Sequence, residues 1–257
     1  MCAFAPAFVF LSHRRDATVL AAFRQFASAA ARRGPVHFLY HDRGDTHALP
    51  WHLPAVTFQD HDLGALGLPT LGASVLPGNT HFPVLHFARL HPGFSHYWVV
   101  EYDVRFSGDW EVLFRHFDAC PSDLLTCHIR RQRDEPWWAW WRCTPGLADV
   151  PPEARLRAFC PIYRISAAAL AHVEARQREG WRGHYELLLP TLLYRDGFRL
   201  RDLGGVGPFV APGDKNRFYR EATWRDRTGA LTRGTLRYRP PIRWVGPWPN
   251  RLYHPVK

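Results

Sequence analysis

The chain has 257 residues, 46% of them apolar and 14% aromatic, which is enough core-forming material for one large domain spanning residues 1–257. No stretch reaches the roughly 18–20 uninterrupted apolar residues that cross a bilayer as a helix, and five cysteines, an odd number without a CxxC spacing, suit reduced, packed thiols better than a disulfide scaffold or a zinc site. The net charge of +10 is almost entirely arginine, since Lys215 and Lys257 are the only lysines, and the guanidinium fork favours phosphate and carboxylate partners.

The N-terminal run AFVFL, about Ala7 to Leu11, has no basic segment before it and ends in SHRR rather than in a small-residue cleavage site. It is therefore expected as a first strand and not as a signal peptide, and the unpaired thiols fit a cytoplasmic protein. An alanine-rich helix over about 17–33, a Gly34-Pro35 break and a strand over about 36–40 complete a βαβ unit, with Phe23, Phe26 and Ala30 on the buried face of the helix. Residues 48–80 are rich in proline and glycine and carry one short strand near 56–58, followed by a helix over 81–90.

Next comes YWVVEYD, an apolar strand whose carboxyl end carries Glu101 and Asp103 two residues apart. In strand geometry that spacing aims both carboxylates at the same side of the pleat, where they can share a cation. The same pair also suits a solvated turn. DWEVLFRHF follows as a helix led by Asp109, and DLLTCHI as a further strand. The alternation predicts an α/β fold with a mostly parallel central sheet flanked by helices, and places ligands at the carboxyl ends of the strands.

An apolar strand ending in E-x-D, preceded by a helix and followed by a small residue and an aromatic, resembles the DxD-type motif of nucleotide-sugar glycosyltransferases of the GT-A fold. The resemblance implies a Rossmann-like GT-A domain with a nucleotide-binding half over about 1–110 and an acceptor-binding and closing half over about 111–257. It also implies a nucleoside-diphosphate sugar donor, UDP-sugar foremost, and a hydroxyl acceptor on a glycan, a lipid-linked sugar or a protein. Asp103 becomes the ligand of a Mn²⁺ or Mg²⁺ ion, and Glu101 a second ligand or the ribose partner, with glutamate standing where aspartate is commoner. Ser12, His13 and Arg14 after the first strand, and Asp42 after the second, become contacts to the nucleotide; Asp16 as a plain helix cap and HDRGD as an ordinary turn are the structural alternatives. In the C-terminal NRLYHPVK, the resemblance makes His254 a metal ligand and Lys257 a diphosphate contact.

GHYELLLPTLLYRDG reads as a helix starting near His184, kinked or broken at Pro190 and stopped by Gly197, with Glu186 in its first turn. There the carboxylate either complements the helix dipole or accepts the proton of an acceptor hydroxyl, as the inverting members of the resembled fold imply; Glu186 is preferred to Asp202 for that role. EPWWAWWRC offers Trp137 and Trp138 as faces for a sugar ring. The arginine- and proline-rich C-terminal third is expected to wrap the domain in extended segments and to close over the site as a lid.

A metal-dependent hydrolase ranks second, without an HExxH, and a nucleic-acid-binding protein third, since no recognition motif is present and an acid pair would repel a phosphate backbone. The basic surface also raises peripheral contact with an anionic membrane.

Overall fold

The computed structural model describes residues 5–44, 48–72, 78–142, 150–221 and 227–257. The elements run β1 (Ala7–Ser12), α1 (Ala17–Ala30), β2 (Val36–His41), β3 (Ala55–Phe58), α2 (Asp60–Gly64), α3 (Phe82–Leu90), β4 (His96–Glu101), β5 (Arg105–Phe106) and α4 (Trp110–Phe117). The second part adds β6 (Leu124–Arg131), β7 (Leu156–Ser166), α5 (Ala167–Arg178), α6 (Tyr185–Arg195), β8 (Leu200–Asp202) and β9 (Leu252–Tyr253).

Seven strands form one sheet in the order β3-β2-β1-β4-β7-β6-β8, and β5 pairs with β9 apart from it. Within the seven-stranded sheet all pairings are parallel except those of β7 with β4 and β6, and the separate β5–β9 pair is antiparallel. This is the expected mostly parallel α/β architecture. The chain moves outward from β1 to β2 and β3, then returns to place β4 on the other flank of β1. That reversal opens a crevice at the carboxyl ends of β1 and β4, the position where sheets of this type take ligands.

Two-residue alternation sorts the side chains to the two faces. Phe8, Phe10, Phe38, Trp98 and Val100 pack under α1 and α4, while Ala7, Val9, Leu39, Tyr97 and Val99 pack under α3, α5 and α6. On α1, Val19, Phe23, Phe26 and Ala30 bury one stripe, and the Asp16 carboxylate caps the helix by accepting from Val19 N at 3.2 Å. Each fully buried aromatic or aliphatic side chain contributes on the order of 1.5–3 kcal/mol. The first helix is shorter than expected, ending at Ala30, and the chain turns at Gly34. A Cβ at Gly34 would sit 1.9 Å from the Pro6 carbonyl oxygen. Gly34→Ala is thus expected to destabilise the fold by about 1–3 kcal/mol, because backbone must move to relieve the overlap; an unchanged midpoint in denaturant unfolding would show that the corner yields freely.

β7 and α5 are the two long elements that sequence patterning left unassigned, beside the short strands β5, β8 and β9. Ser166 ends one and caps the other by accepting from Ala169 N at 3.1 Å. Pro190 neither breaks nor ends α6, which is continuous over Tyr185–Arg195 with its middle buried against β7. Tertiary packing overrides the loss of one helical hydrogen bond there. The C-terminal segment joins the body through β9, which pairs with β5, and folds on itself through turns and isolated pairings of Leu236 with His254 and Ile242 with Val256. Cys120, Cys127 and Cys160 are buried free thiols, while Cys2 and Cys143 lie outside the described residues. Among the described residues no helix is long and apolar enough to cross a membrane.

Candidate active site

β4 ends at Glu101, and the chain then turns sharply, with Val104 N donating to Glu101 O at 3.0 Å. The two acids therefore converge through a turn and not by lying on one face of a pleated strand. The C-terminal segment is tied to that turn by Val256 N donating to Asp103 O at 2.8 Å, and His254 N donates to Thr235 O at 2.9 Å. These bonds bring a histidine from the far end of the chain against the acids. His254 Nε2 lies 3.3 Å from Asp103 Oδ1 and 3.7 Å from Glu101 Oε2, and Lys257 Nζ is 3.8 Å from Asp103 Oδ2.

The orientation of His254 follows from its other nitrogen. Nδ1 is 2.9 Å from the Arg237 carbonyl, which can only accept, so Nδ1 carries a proton and donates it. In the neutral ring Nε2 then presents its lone pair to the acids. Asp103 is buried, and its Oδ1 has no hydrogen-bond partner. Burial works against the Asp103 charge, but His254 and Lys257 outweigh it and hold the carboxyl below its usual range. Burial pushes the Glu101 carboxyl up, against the pull of His254. For His254, burial favours the neutral ring, yet Asp103 and Glu101 prevail and raise it to about 9.

A buried unpartnered carboxylate oxygen beside an oriented imidazole is a donor set suited to a divalent cation. Ligand atoms of Glu101, Asp103 and His254 all lie within 4.8 Å of one another, and among the described residues they are the one such group. Their 3.3 and 3.7 Å separations are close to the roughly 3.0 Å between neighbouring ligands on an octahedral ion with bonds near 2.1 Å. Hard oxygens with one imidazole fit Mn²⁺ or Mg²⁺. Such an ion would be held by Asp103 Oδ1, His254 Nε2 and Glu101, and would need the neutral ring of His254 as its ligand.

The three groups open into a cavity of about 420 Å³ that also contains Lys257, Glu186 and Trp138. Glu186 is buried in the first turn of α6, where Oε1 accepts from Cys160 N at 3.0 Å. Burial raises its carboxyl to about 7, against the opposing influence of the Cys160 N–H and Arg157. Trp138 is buried with the Arg157 guanidinium 4.0 Å over its ring, and Arg157 is held in turn by Glu135 and the Gly229 carbonyl, both at 3.2 Å. Trp140 stacks on His184 with centroids 4.6 Å apart, and both line the cavity.

Trp137 is not part of this wall: it is 83% exposed, and Trp140 lines the cavity beside Trp138 in its place. Alternation along a strand does not apply here, because Ala139–Arg142 forms a short 3-10 turn that rotates successive side chains differently. Ser12, His13 and Arg14 lie at the β1 end of the crevice, outside the cavity lining. The Ser12 hydroxyl accepts from Arg14 N at 2.9 Å, Arg14 Nε donates to Asp16 Oδ2 at 2.9 Å, and His13 meets Tyr102 edge-on at 4.7 Å. His13 thus touches the residue between the two acids. Asp42 lies in a separate shallow pocket with His41 and Asp60, where it accepts from Gly44 N at 2.9 Å and Gln59 Nε2 at 3.0 Å. Asp202 is buried elsewhere and accepts from Tyr219, Gly204 and Gly205. Arg157 and His184 are among the cavity residues to which sequence reasoning gave no role in the site.

A family model described as a protein of unknown function, DUF3405, matches residues 73–123, a span that includes β4 and the two acids. No curated protein matches the chain. Among solved structures, similarity extends to the galactosyltransferase LgtC in complex with donor and acceptor sugar analogues, at 12% identity and a TM-score of 0.46 over 76% of this chain and 73% of that one. Mouse xyloside xylosyltransferase 1 is similar at 12% identity and a TM-score of 0.43, over 78% of this chain and 85% of that one. A glycosyltransferase involved in glycosylation of the major capsid of PBCV-1 is similar at 9% identity and a TM-score of 0.36; this chain is covered over 67% and spans 64% of that chain.

Proposed function

We propose that this protein is a GT-A-type glycosyltransferase that moves a sugar from a nucleoside diphosphate, foremost a UDP-sugar, to a hydroxyl acceptor with a Mn²⁺ or Mg²⁺ ion. The observation that carries this is the meeting of Asp103, Glu101 and His254 at the topological crevice, in one cavity with a buried carboxyl whose pKa is raised to about 7. When bound, the cation offsets the negative charge that builds on the departing diphosphate. Asp103 and His254 would hold it directly, with Glu101 as third ligand or ribose partner, and Lys257 adds a positive charge beside the leaving phosphates. Glu186 takes the acceptor proton as the new bond forms, which implies inversion at the anomeric carbon. Trp140, 41% exposed at the cavity, offers an apolar ring face for a glycan with Trp138 bracing that wall, and His13 and its neighbours are assigned to the base.

Thermal unfolding with UDP, GDP and CMP, each with and without Mn²⁺, tests this directly. One nucleoside diphosphate is expected to raise the midpoint only when the metal is present, by mass action on the folded state. No shift with any of them would remove the donor site and favour hydrolysis.

A further inference from the structure

From Arg227 to Lys257 the sequence holds six arginines, one lysine and no acid. Within it the turn RWVGPWPNR, Arg243 to Arg251, places only apolar side chains and one glycine between Trp244 and Pro249. The rings do not turn inward. Trp244 is 83% exposed, Trp248 46% and Val245 40%, although large apolar side chains so close together are ordinarily buried or covered.

The backbone beneath them is fixed. The Ser107 hydroxyl donates to the Trp248 carbonyl at 2.6 Å, β9 pairs with β5 just beyond, and a Cβ on Gly246 would meet the Tyr253 hydroxyl at 2.7 Å. The turn is thus a built apolar tip with arginines at its base: Arg243 is exposed, and the Arg220 guanidinium lies 4.7 Å over the Trp248 ring. The same segment carries exposed Tyr238 to the cavity lining and pairs Ile242 with Val256, next to the acid-bound histidine.

Tryptophan with flanking arginine is the composition that settles at the level of phospholipid headgroups, the ring in the interface and the cation on anionic lipid. Single-stranded nucleic acid is usually held by cations that track the backbone among the stacking rings. Here six consecutive positions, Trp244 to Pro249, carry no charge, which favours lipid. We propose that the 243–251 turn is a membrane-interface anchor that docks this face on an anionic phospholipid bilayer. The proposal rests on the exposed surface and does not depend on the transferase reading.

Flotation of the full chain with phosphatidylcholine vesicles, and with vesicles of mixed phosphatidylcholine and phosphatidylglycerol, tests it. Binding is expected to the mixed vesicles alone and to weaken with added salt. Trp244→Ala/Trp248→Ala should weaken binding by about tenfold or more, since two rings lose their apolar burial, and Arg243→Ala by about fivefold. The thermal midpoints of these variants should match wild type, because the substituted side chains are exposed. Three outcomes would overturn the proposal: no flotation with either vesicle, flotation undiminished in the double-tryptophan variant, or capture of an oligonucleotide without capture of vesicles. A dimer in light scattering that the tryptophan variant dissolves, without vesicle binding, would likewise reassign the tip to self-association.

Discussion

Asp103→Asn is expected to lose Mn²⁺ binding and to lower turnover by about a thousandfold, the consequence of withdrawing several kcal/mol of metal stabilisation from the leaving group. The amide keeps the shape of the side chain but removes the charge that draws both the cation and the protonated His254. Glu101→Gln should cost less, because Glu101 is the more exposed of the pair and lies further from Nε2, at 3.7 Å. Calorimetric titration of Mn²⁺ in the presence of the nucleoside diphosphate, with circular dichroism as the control for folding, separates loss of the ligand from loss of structure. Wild-type metal affinity in a folded Asp103→Asn protein would take the acids out of the mechanism and return the E-x-D to an ordinary strand end.

How much of this was legible beforehand varied with the range of the forces involved. β1, α1, β2 and β4 declare themselves through short-range alternation and capping, so the crevice and its acids could be placed from the residues alone. β7 did not, because Arg157 and Arg164 interrupt an otherwise apolar run and read as surface. Both are buried. Arg164 is satisfied by the carbonyls of Phe117, Cys120 and Ser122 at 2.8, 2.6 and 3.1 Å, and Arg157 by Glu135 and Gly229, all of them distant along the chain. Antiparallel insertion of β7 beside β4 leaves no local signal either, and with it went Arg157 as support for Trp138. Which tryptophan faces the cavity depended on a 3-10 turn that composition does not encode. The meeting of His254 with the acids joins residues far apart along the chain, and its expectation came from the family resemblance, not from periodicity.

Glu186→Gln should part activity from stability. Glutamine keeps an oxygen to accept from Cys160 N but cannot take up a proton at neutral pH, so turnover is expected to fall about 100- to 10,000-fold if the carboxylate is the base. Stability should move the other way. Burial raises the folded-state pKa from 4.5 to about 7, so between those values the native protein retains a proton that the unfolded chain has released, and stability falls as pH rises through that window. Above pH 7 the wild type carries the full penalty of a buried charge, which the neutral amide escapes; its melting midpoint at pH 8 should equal or exceed wild type. In wild type the same ionisation produces the base, and kcat should rise with pH to a plateau above about 7. A folded Glu186→Gln protein with wild-type turnover would make Glu186 a structural acid that only braces α6 against β7. Loss of turnover together with a lowered midpoint at pH 8 would instead mean that the carboxylate's bond to Cys160 matters more than its charge, and the acceptor would need another base.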